Sequence, residues 1–159
     1  MKQGNLYFSL FTWHFSLIPN FNLKIDCQTK ETIFVNKINY DSKIFASVQN
    51  SETGEVSSET RFYYRQKGSL VWAEYSGGAV VFGTLIAKVM ANDRLEMRYQ
   101  HLNASGELMT GECVSTPEIL ADGRIRLYEK WRWTSGDLSE GESIIEEILA
   151  ETRPNQVYR

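Results

Sequence analysis

The sequence predicts an all-β fold: a single antiparallel up-and-down β-barrel of about eight strands. From residue 38 onward, short segments in which polar and apolar residues alternate follow one another at regular spacing, as strands with one wet and one dry face do. Tight turns that contain glycine, asparagine or aspartate join nearly all of these segments. A meander of this size avoids open sheet edges by closing on itself, and its interior has room for packed side chains or one small ligand.

The individual strands follow from this alternation and from the turns between them. A polar loop covers Asn50–Ser58, and Lys67-Gly68 forms a two-residue hairpin turn that needs a positive φ. The segment T-P-E-I-L-A-D-G, residues 116–123, is predicted to be a loop, and Glu142–Leu149 fits a strand through Glu147 slightly better than a short helix. The predicted strands are Lys43–Gln49, Thr60–Gln66, Ser69–Tyr75, Ala79–Met90, Arg94–Leu102, Glu107–Ser115, Arg124–Trp133 and Glu142–Glu147.

Length and composition indicate one ordinary globular domain. The chain has 159 residues, of which 42% are hydrophobic and 23% charged, which is enough to bury one core. The net charge of -3 and the pI near 5.5 argue against a nucleic-acid-binding protein, which needs a basic excess. Cys27 and Cys113 give neither a disulfide framework nor a metal-binding spacing, so we expect a reducing, cytoplasmic compartment. The oligomeric state stays open.

The predicted organisation is an N-terminal extension at residues 1–34, a barrel domain at 35–151 and a flexible tail at 152–159. The apolar run Leu6–Ile18 resembles the core of a signal peptide, but no small-residue cleavage site follows it. It is also too short to span a membrane, so no membrane association is expected. The segment is either a genuine N-terminal extension or the product of a mis-assigned start. Lys30-Glu31 can be encoded as a ribosome-binding sequence, and the Val35 codon just downstream can act as a start. Both interpretations stay open.

The strand Arg124–Trp133 carries the most informative pattern. Read at period two, Ile125, Leu127, Glu129, Trp131 and Trp133 share the dry face, and basic residues occupy most of the other face. A carboxylate that faces an apolar interior must be paired, hydrogen-bonded or protonated. Glu129 therefore either pairs with an inward arginine such as Arg98 or binds a cationic or hydroxyl group of a ligand.

Other candidate residues are judged by the predicted face on which they lie. His101 shares a face with Tyr99, and as a general base it would need Glu129 or Glu112 within reach. Trp72, Trp131 and Trp133 either wall a ligand pocket or belong to the core. No catalytic residue is assigned. The candidate ligand-binding residues are Tyr64, Trp72, Tyr99, His101, Glu129 and Trp131.

Several chemistries lack the residues that they need. One histidine and one cysteine in the barrel domain do not make a typical metal site, and no Gly-x-Ser-x-Gly elbow or phosphate-cradling glycine-rich loop is present. We therefore predict no metal and no cofactor. The acidic segment Gly136–Glu142 is either a loop that closes over a barrel mouth or an ordinary solvated turn.

Three motifs between Ile38 and Glu147 carry a family resemblance. They are F-Y-Y-R-Q-K-G-S-L-V-W-A-E-Y-S-G-G, R-Y-Q-H-L-N-A-S-G-E-L-M-T-G-E-C and S-T-P-E-I-L-A-D-G-R-I-R-L-Y-E-K-W-R-W-T-S-G-D-L-S-E-G-E-S. They resemble a family of small bacterial proteins that look like compact calycin-type, lipocalin-like β-barrels and are commonly labelled N-acetylglutamate synthase. The resemblance implies a calycin-like barrel and, by its label, an amino-acid N-acetyltransferase.

Three functions follow from these observations. The first is a non-catalytic barrel that binds a small molecule. The second is the N-acetyltransferase that the resemblance implies, although the nearest pyrophosphate-binding turn, Arg65–Leu70, ends in leucine instead of glycine or alanine and opens a strand rather than a helix. The third is a protein-interaction module that uses the basic face of the strand Arg124–Trp133, namely Arg124, Arg126, Lys130 and Arg132.

Overall fold

The fold is a closed antiparallel β-barrel, seen in a computed structural model that describes residues 38–149. In chain order its strands are β1 (Ile44–Asn50), β2 (Arg61–Lys67), β3 (Leu70–Gly77), β4 (Val80–Val89), β5 (Leu95–Asn103), β6 (Leu108–Ile119), β7 (Ile125–Trp133) and β8 (Glu140–Glu147), with a 3-10 turn at Ala91–Asp93 between β4 and β5. Each strand pairs with the next one, and β8 returns to pair with β1. The predicted eight-stranded up-and-down barrel is confirmed.

Three of the predictions concern residues outside this range. The extension at residues 1–34, the alternative start at Val35 and the tail at residues 152–159 lie outside the described residues and stay predictions. Between residues 38 and 149, no helix is long and apolar enough to cross a membrane.

Side chains hold the seam at which the barrel closes. Phe45 lies opposite Glu147 where β1 meets β8. The buried Glu147 carboxylate accepts a bond from Lys43 Nζ at 2.6 Å and another from the backbone N–H of Ile125 on β7 at 3.1 Å. One carboxylate therefore joins the segment before β1 to β7 and β8, and no strand between residues 44 and 147 is left as an edge strand.

One predicted loop and one predicted turn are wrong. Strand β6 continues to Ile119, so residues 116–119 of the predicted loop belong to the sheet. Ser115 is the last residue of β6 paired with β5, and Pro117 beyond it pairs with β7 alone, on a stretch whose other side is open and tolerates a proline. The hairpin between β2 and β3 is one residue later than predicted. Lys67 pairs with Leu70, so Gly68 and Ser69 form the turn, with Gly68 at φ 60°.

Aromatic side chains fill the barrel end at which β1 begins. The rings of Phe45 and Tyr64 lie 4.8 Å apart, and Tyr40 packs beside them with its centroid 6.4 Å from that of Tyr64. The Tyr40 hydroxyl donates to the backbone carbonyl of Asp93 at 2.6 Å, which fixes the segment before β1 against the 3-10 turn. This end is plugged, so an opening to the interior has to be sought at the other end.

The outer face of β7 carries the basic row predicted from the sequence, and acidic neighbours pair with each of its cations. Arg124 bonds Asp122 and Glu146, Arg126 bonds Glu146 and Glu118, Lys130 bonds Glu142, and Arg132 bonds Glu112. The acidic partners are at least as numerous as the cations. This face therefore lacks the net positive charge that would attract an acidic partner.

Candidate functional site

A cavity of about 60 Å³ lies inside the barrel, at the end opposite the Tyr40 plug. One water molecule needs about 10–15 Å³ of such a cavity, so the cavity holds about five heavy atoms. Its walls are mostly apolar, with a few polar groups that converge on it, which is typical of a small-molecule site. It is lined by Asn50, Gly54, Glu55, Val56, Phe62, Tyr75, Leu85, Met97, Tyr99, His101, Cys113, Glu129, Trp131, Trp133 and Ser143.

Glu129 is a buried carboxylate of the site. The register places Ser115 of β6 and Ser143 of β8 directly opposite it, one on each side. Their hydroxyls donate to its two carboxylate oxygens at 3.1 and 2.7 Å. Burial raises the pKa of Glu129, and the two hydroxyl bonds offset that effect only in part.

The predicted partner of Glu129 is wrong. Arg98 lies on the outer face of β5, where its guanidinium contacts Glu112 at 3.2 Å. The alternation of the strand forces this result, because Arg98 lies between two inward residues, Met97 and Tyr99. Two serines and no arginine therefore hold the buried carboxylate.

His101 is buried in the wall, and its two ring nitrogens have partners other than those predicted. Nε2 lies 2.6 Å from Glu55 Oε2, and Nδ1 lies 2.9 Å from the Tyr75 hydroxyl. The expected partners, Glu129 and Glu112, do not bond it. Glu55 belongs to the β1–β2 loop, whose irregular backbone gives no periodicity from which its inward side chain could have been predicted.

The β1–β2 loop, residues 51–60, covers the mouth of the cavity. His101 and Asn103 hold its Glu55 carboxylate at 2.6 and 3.0 Å, and the Trp133 indole donates to the Thr53 carbonyl at 3.1 Å. The segment predicted to close the mouth, Gly136–Glu142, contributes no residue to the described lining, and its last three residues belong to β8. We call residues 51–60 the mouth loop.

Aromatic rings surround the cavity. The ring of Trp133 lies 5.4 Å from that of Tyr99 and 5.7 Å from that of Trp131, and the ring of Phe62 stacks on that of Tyr75 at 4.9 Å. Burial raises the pKa of both tyrosines above their ordinary range, so their hydroxyls stay neutral at physiological pH. The wall is therefore aromatic and uncharged except at Glu129, Glu55 and His101.

Three strand glycines make room for this aromatic wall. Gly83, Gly111 and Gly141 lie opposite Tyr75, Tyr99 and Trp131 on the neighbouring strands. A Cβ atom added at any of the three would overlap the ring or hydroxyl of its aromatic partner. Glycine inside a strand often marks such a close approach, and this was the signal in the sequence that could have pointed to Tyr75.

A family model described as "Avidin-like protein" matches residues 38–148, which is more than half of the chain. The chain belongs to the avidin-like family. No curated protein and no solved structure matches it. The calycin-type barrel expected from the resemblance agrees with the avidin-like family, whereas nothing in the comparisons supports the acetyltransferase label. Arg65–Leu70, the segment that comes nearest to a pyrophosphate-binding turn, forms the hairpin between β2 and β3 of the avidin-like barrel.

Four of the six predicted site residues line the cavity of this avidin-like barrel: Tyr99, His101, Glu129 and Trp131. Tyr64 is inside the barrel but packs against Phe45 in the plugged half. Contact of the four lining residues with a ligand stays a prediction.

The prediction that Trp72 lines the interior is wrong. Its side chain is 39% exposed on the outer face of β3, because its neighbours Val71 and Ala73 face inward. The alternation along β3 decides the face, and the bulk of the side chain does not. The cavity of the avidin-like barrel is also lined by residues that are not among the predicted six: Glu55, Tyr75, Trp133 and Ser143.

Proposed function

We propose that this avidin-like protein is a non-catalytic binding protein that takes a small molecule into the cavity between Glu129 and the mouth loop. The observation that carries the proposal is the row Ser115–Glu129–Ser143, which places a hydrogen-bonded carboxylate in an otherwise aromatic cavity. Burying a carboxylate without a counterion costs free energy, and ionisable groups in such surroundings cluster at functional sites. Avidin-like barrels bind small ligands such as biotin, which supports the same conclusion.

The groups that could act in catalysis are already engaged, which favours binding over chemistry. Both ring nitrogens of His101 have partners, so neither offers a free lone pair to a reactant. Burial raises the pKa of the Cys113 thiol well above its usual range, and the protonated thiol is a poor nucleophile.

Entry of a ligand larger than the cavity requires movement of the mouth loop. The cavity holds about five heavy atoms, so a larger molecule must displace part of the loop. The contact between Glu55 Oε2 and His101 Nε2, at 2.6 Å, holds the loop against the barrel wall. Ligands larger than this should therefore bind slowly, because the loop has to open first.

The test is a thermal-shift screen of neutral, anionic and cationic small molecules, with biotin among them, combined with native mass spectrometry of protein purified from its own host. We expect at least one class to raise the melting temperature of the wild type and to lose that effect in Glu129→Gln. Glu142→Gln is the matched control, because Glu142 is exposed and pairs with Lys130 on the outer face. The proposal is wrong if no class raises the melting temperature and no ligand co-purifies.

A further inference from the structure

We infer that the ligand is a small organic cation, a primary or methylated amine, whose ammonium group is held by Glu129 inside the aromatic wall. The inference rests on the proposed binding function and specifies its ligand class. Three independent properties of the cavity lead to it: charge, hydrogen-bonding capacity and the nature of the walls.

The charge of the lining is negative once Glu129 is ionised. Glu129 and Glu55 are its acids and His101 its base, and the described lining residues include neither lysine nor arginine. With both carboxylates ionised, the lining keeps an excess of negative charge whether His101 is neutral or protonated. A carboxylate or phosphate ligand would be repelled at close range, in surroundings that screen charge poorly. A cation would be attracted.

Most hydrogen-bond donors of the cavity are already engaged. Ser115 and Ser143 already donate to Glu129, and the Trp133 indole donates to the mouth loop. A carboxylate has about four lone-pair sites, so Glu129 keeps acceptor capacity beyond the two serine bonds. The buried Asn50 Oδ1 has no hydrogen-bond partner within residues 38–149. The cavity therefore favours a ligand that donates hydrogen bonds. An ammonium group has donors and no acceptor.

The walls distinguish a cation from a neutral donor such as an amide. Trp131, Trp133 and Tyr99 form a contiguous aromatic surface beside Glu129, with neighbouring centroids 5.4 and 5.7 Å apart. The negative faces of such rings attract ammonium groups within about 6 Å of the centroid, most strongly where water is excluded. A carboxylate combined with aromatic rings is the usual arrangement for amine recognition.

The groups that face Glu129 leave its charge without a counterion. They are Tyr64 of β2, Tyr75 of β3, Tyr99 and His101 of β5, Cys113 of β6 and Glu55 of the mouth loop. Burial raises the pKa of the three tyrosines and of the thiol, so these groups stay neutral, and the histidine is paired with Glu55. A bound ammonium supplies the missing positive charge and favours loss of the Glu129 proton.

This arrangement predicts a pH dependence of binding. Burial raises the pKa of Glu129, so lowering the pH protonates it and removes the charge that attracts the amine. Amine affinity should therefore rise with pH as Glu129 ionises, and it should fall only near the pKa of the amine itself, at about 10.

The experiment compares three probes of nearly equal shape that fit about five heavy atoms: isobutylammonium, isobutanol and isobutyrate. Binding to the full chain is measured by calorimetry and by tryptophan fluorescence at several pH values. We expect isobutylammonium to bind at least about tenfold more tightly than either other probe at neutral pH. Glu129→Gln should abolish that preference and its pH dependence, and Glu142→Gln should keep both.

Three outcomes would overturn the inference: equal binding of the three probes, a preference for isobutyrate, or no binding of the amine at tens of millimolar. The first two leave the proposed binding function intact, because the cavity would still take a small molecule. The third is separated from a failure of the proposed function by the screen described above, which includes neutral and anionic ligands.

Discussion

Two tyrosines in the plugged half of the barrel give the sharpest test of the packing, because the same substitution should change stability in opposite directions. The Tyr64 hydroxyl is buried and has no hydrogen-bond partner in the part of the chain that the structure describes. The Tyr40 hydroxyl is also buried but donates to the Asp93 carbonyl at 2.6 Å. Replacing each tyrosine with phenylalanine removes one oxygen and leaves the ring in place.

The magnitudes follow from the partners. A buried hydroxyl without a partner costs about 1–3 kcal/mol, so Tyr64→Phe should raise the free energy of unfolding by about 1 kcal/mol. Tyr40→Phe removes the hydrogen bond to the Asp93 carbonyl and should lower the free energy of unfolding by about 1–2 kcal/mol. The two variants should then differ by about 2–3 kcal/mol.

Urea unfolding followed by tryptophan fluorescence measures this difference. With a slope of about 1–3 kcal/mol per molar, the two midpoints should differ by about 0.7–3 M at unchanged slope. The reasoning is refuted if Tyr64→Phe destabilises the protein as much as Tyr40→Phe does. That result would mean that the Tyr64 hydroxyl has a bonding partner inside the barrel.

Three further predictions concern the site. Glu129→Ala should cost about 2 kcal/mol or more, because it strands two buried serine hydroxyls, whereas Lys130→Ala on the outer face should cost less than about 0.5 kcal/mol; equal small costs in urea unfolding would contradict the inward assignment. The pKa of Glu129 is raised on folding, so the folded state holds this proton more tightly than the unfolded state. The bound proton therefore stabilises the folded state fully below pH 4.5, the ordinary pKa of a glutamate. This stabilisation is lost as the pH rises through the pKa of Glu129 in the folded state. Unfolding at a series of pH values should show that loss in the wild type and not in Glu129→Gln. Glu55→Ala frees the mouth loop from His101, so amide exchange in residues 51–60 should become faster while β7 keeps its protection; unchanged exchange in the loop would contradict its role as a gate.

Period-two patterns predicted the inward faces correctly where polar and apolar residues alternate cleanly. On β5 and β7 the inward assignments of His101, Glu129 and Trp131 are confirmed, because a strand cannot turn one side chain without turning them all. The prediction for Trp72 is wrong because β3 has apolar residues on both faces, so the apolar pattern does not identify the inward one. Alternation also identified the eight strands. Short turns place consecutive strands side by side, so the order of the strands and their closure into a barrel were predictable as well.

The rest of the site depends on features that have no period. Glu55 reaches His101 from a loop 46 residues away in the sequence, and only the closed barrel brings the two together. The serine partners of Glu129 depend on the register between strands, which a single sequence does not fix. The cytoplasmic location and the boundaries of the barrel domain stay predictions.

The strand glycines opposite Tyr75, Tyr99 and Trp131 have a consequence for how a cavity of this kind changes during evolution. Because each ring leans over a position without a side chain, the ring is partly recessed into the barrel wall and the middle of the barrel stays open. A single methyl group at one of these glycines would overlap the facing ring and force it to shift. The size of the cavity is thus controlled from positions that no ligand has to touch. Relatives could come to accept larger or smaller molecules by exchanging glycine and alanine in the strands, while Glu129 and its serines stay unchanged.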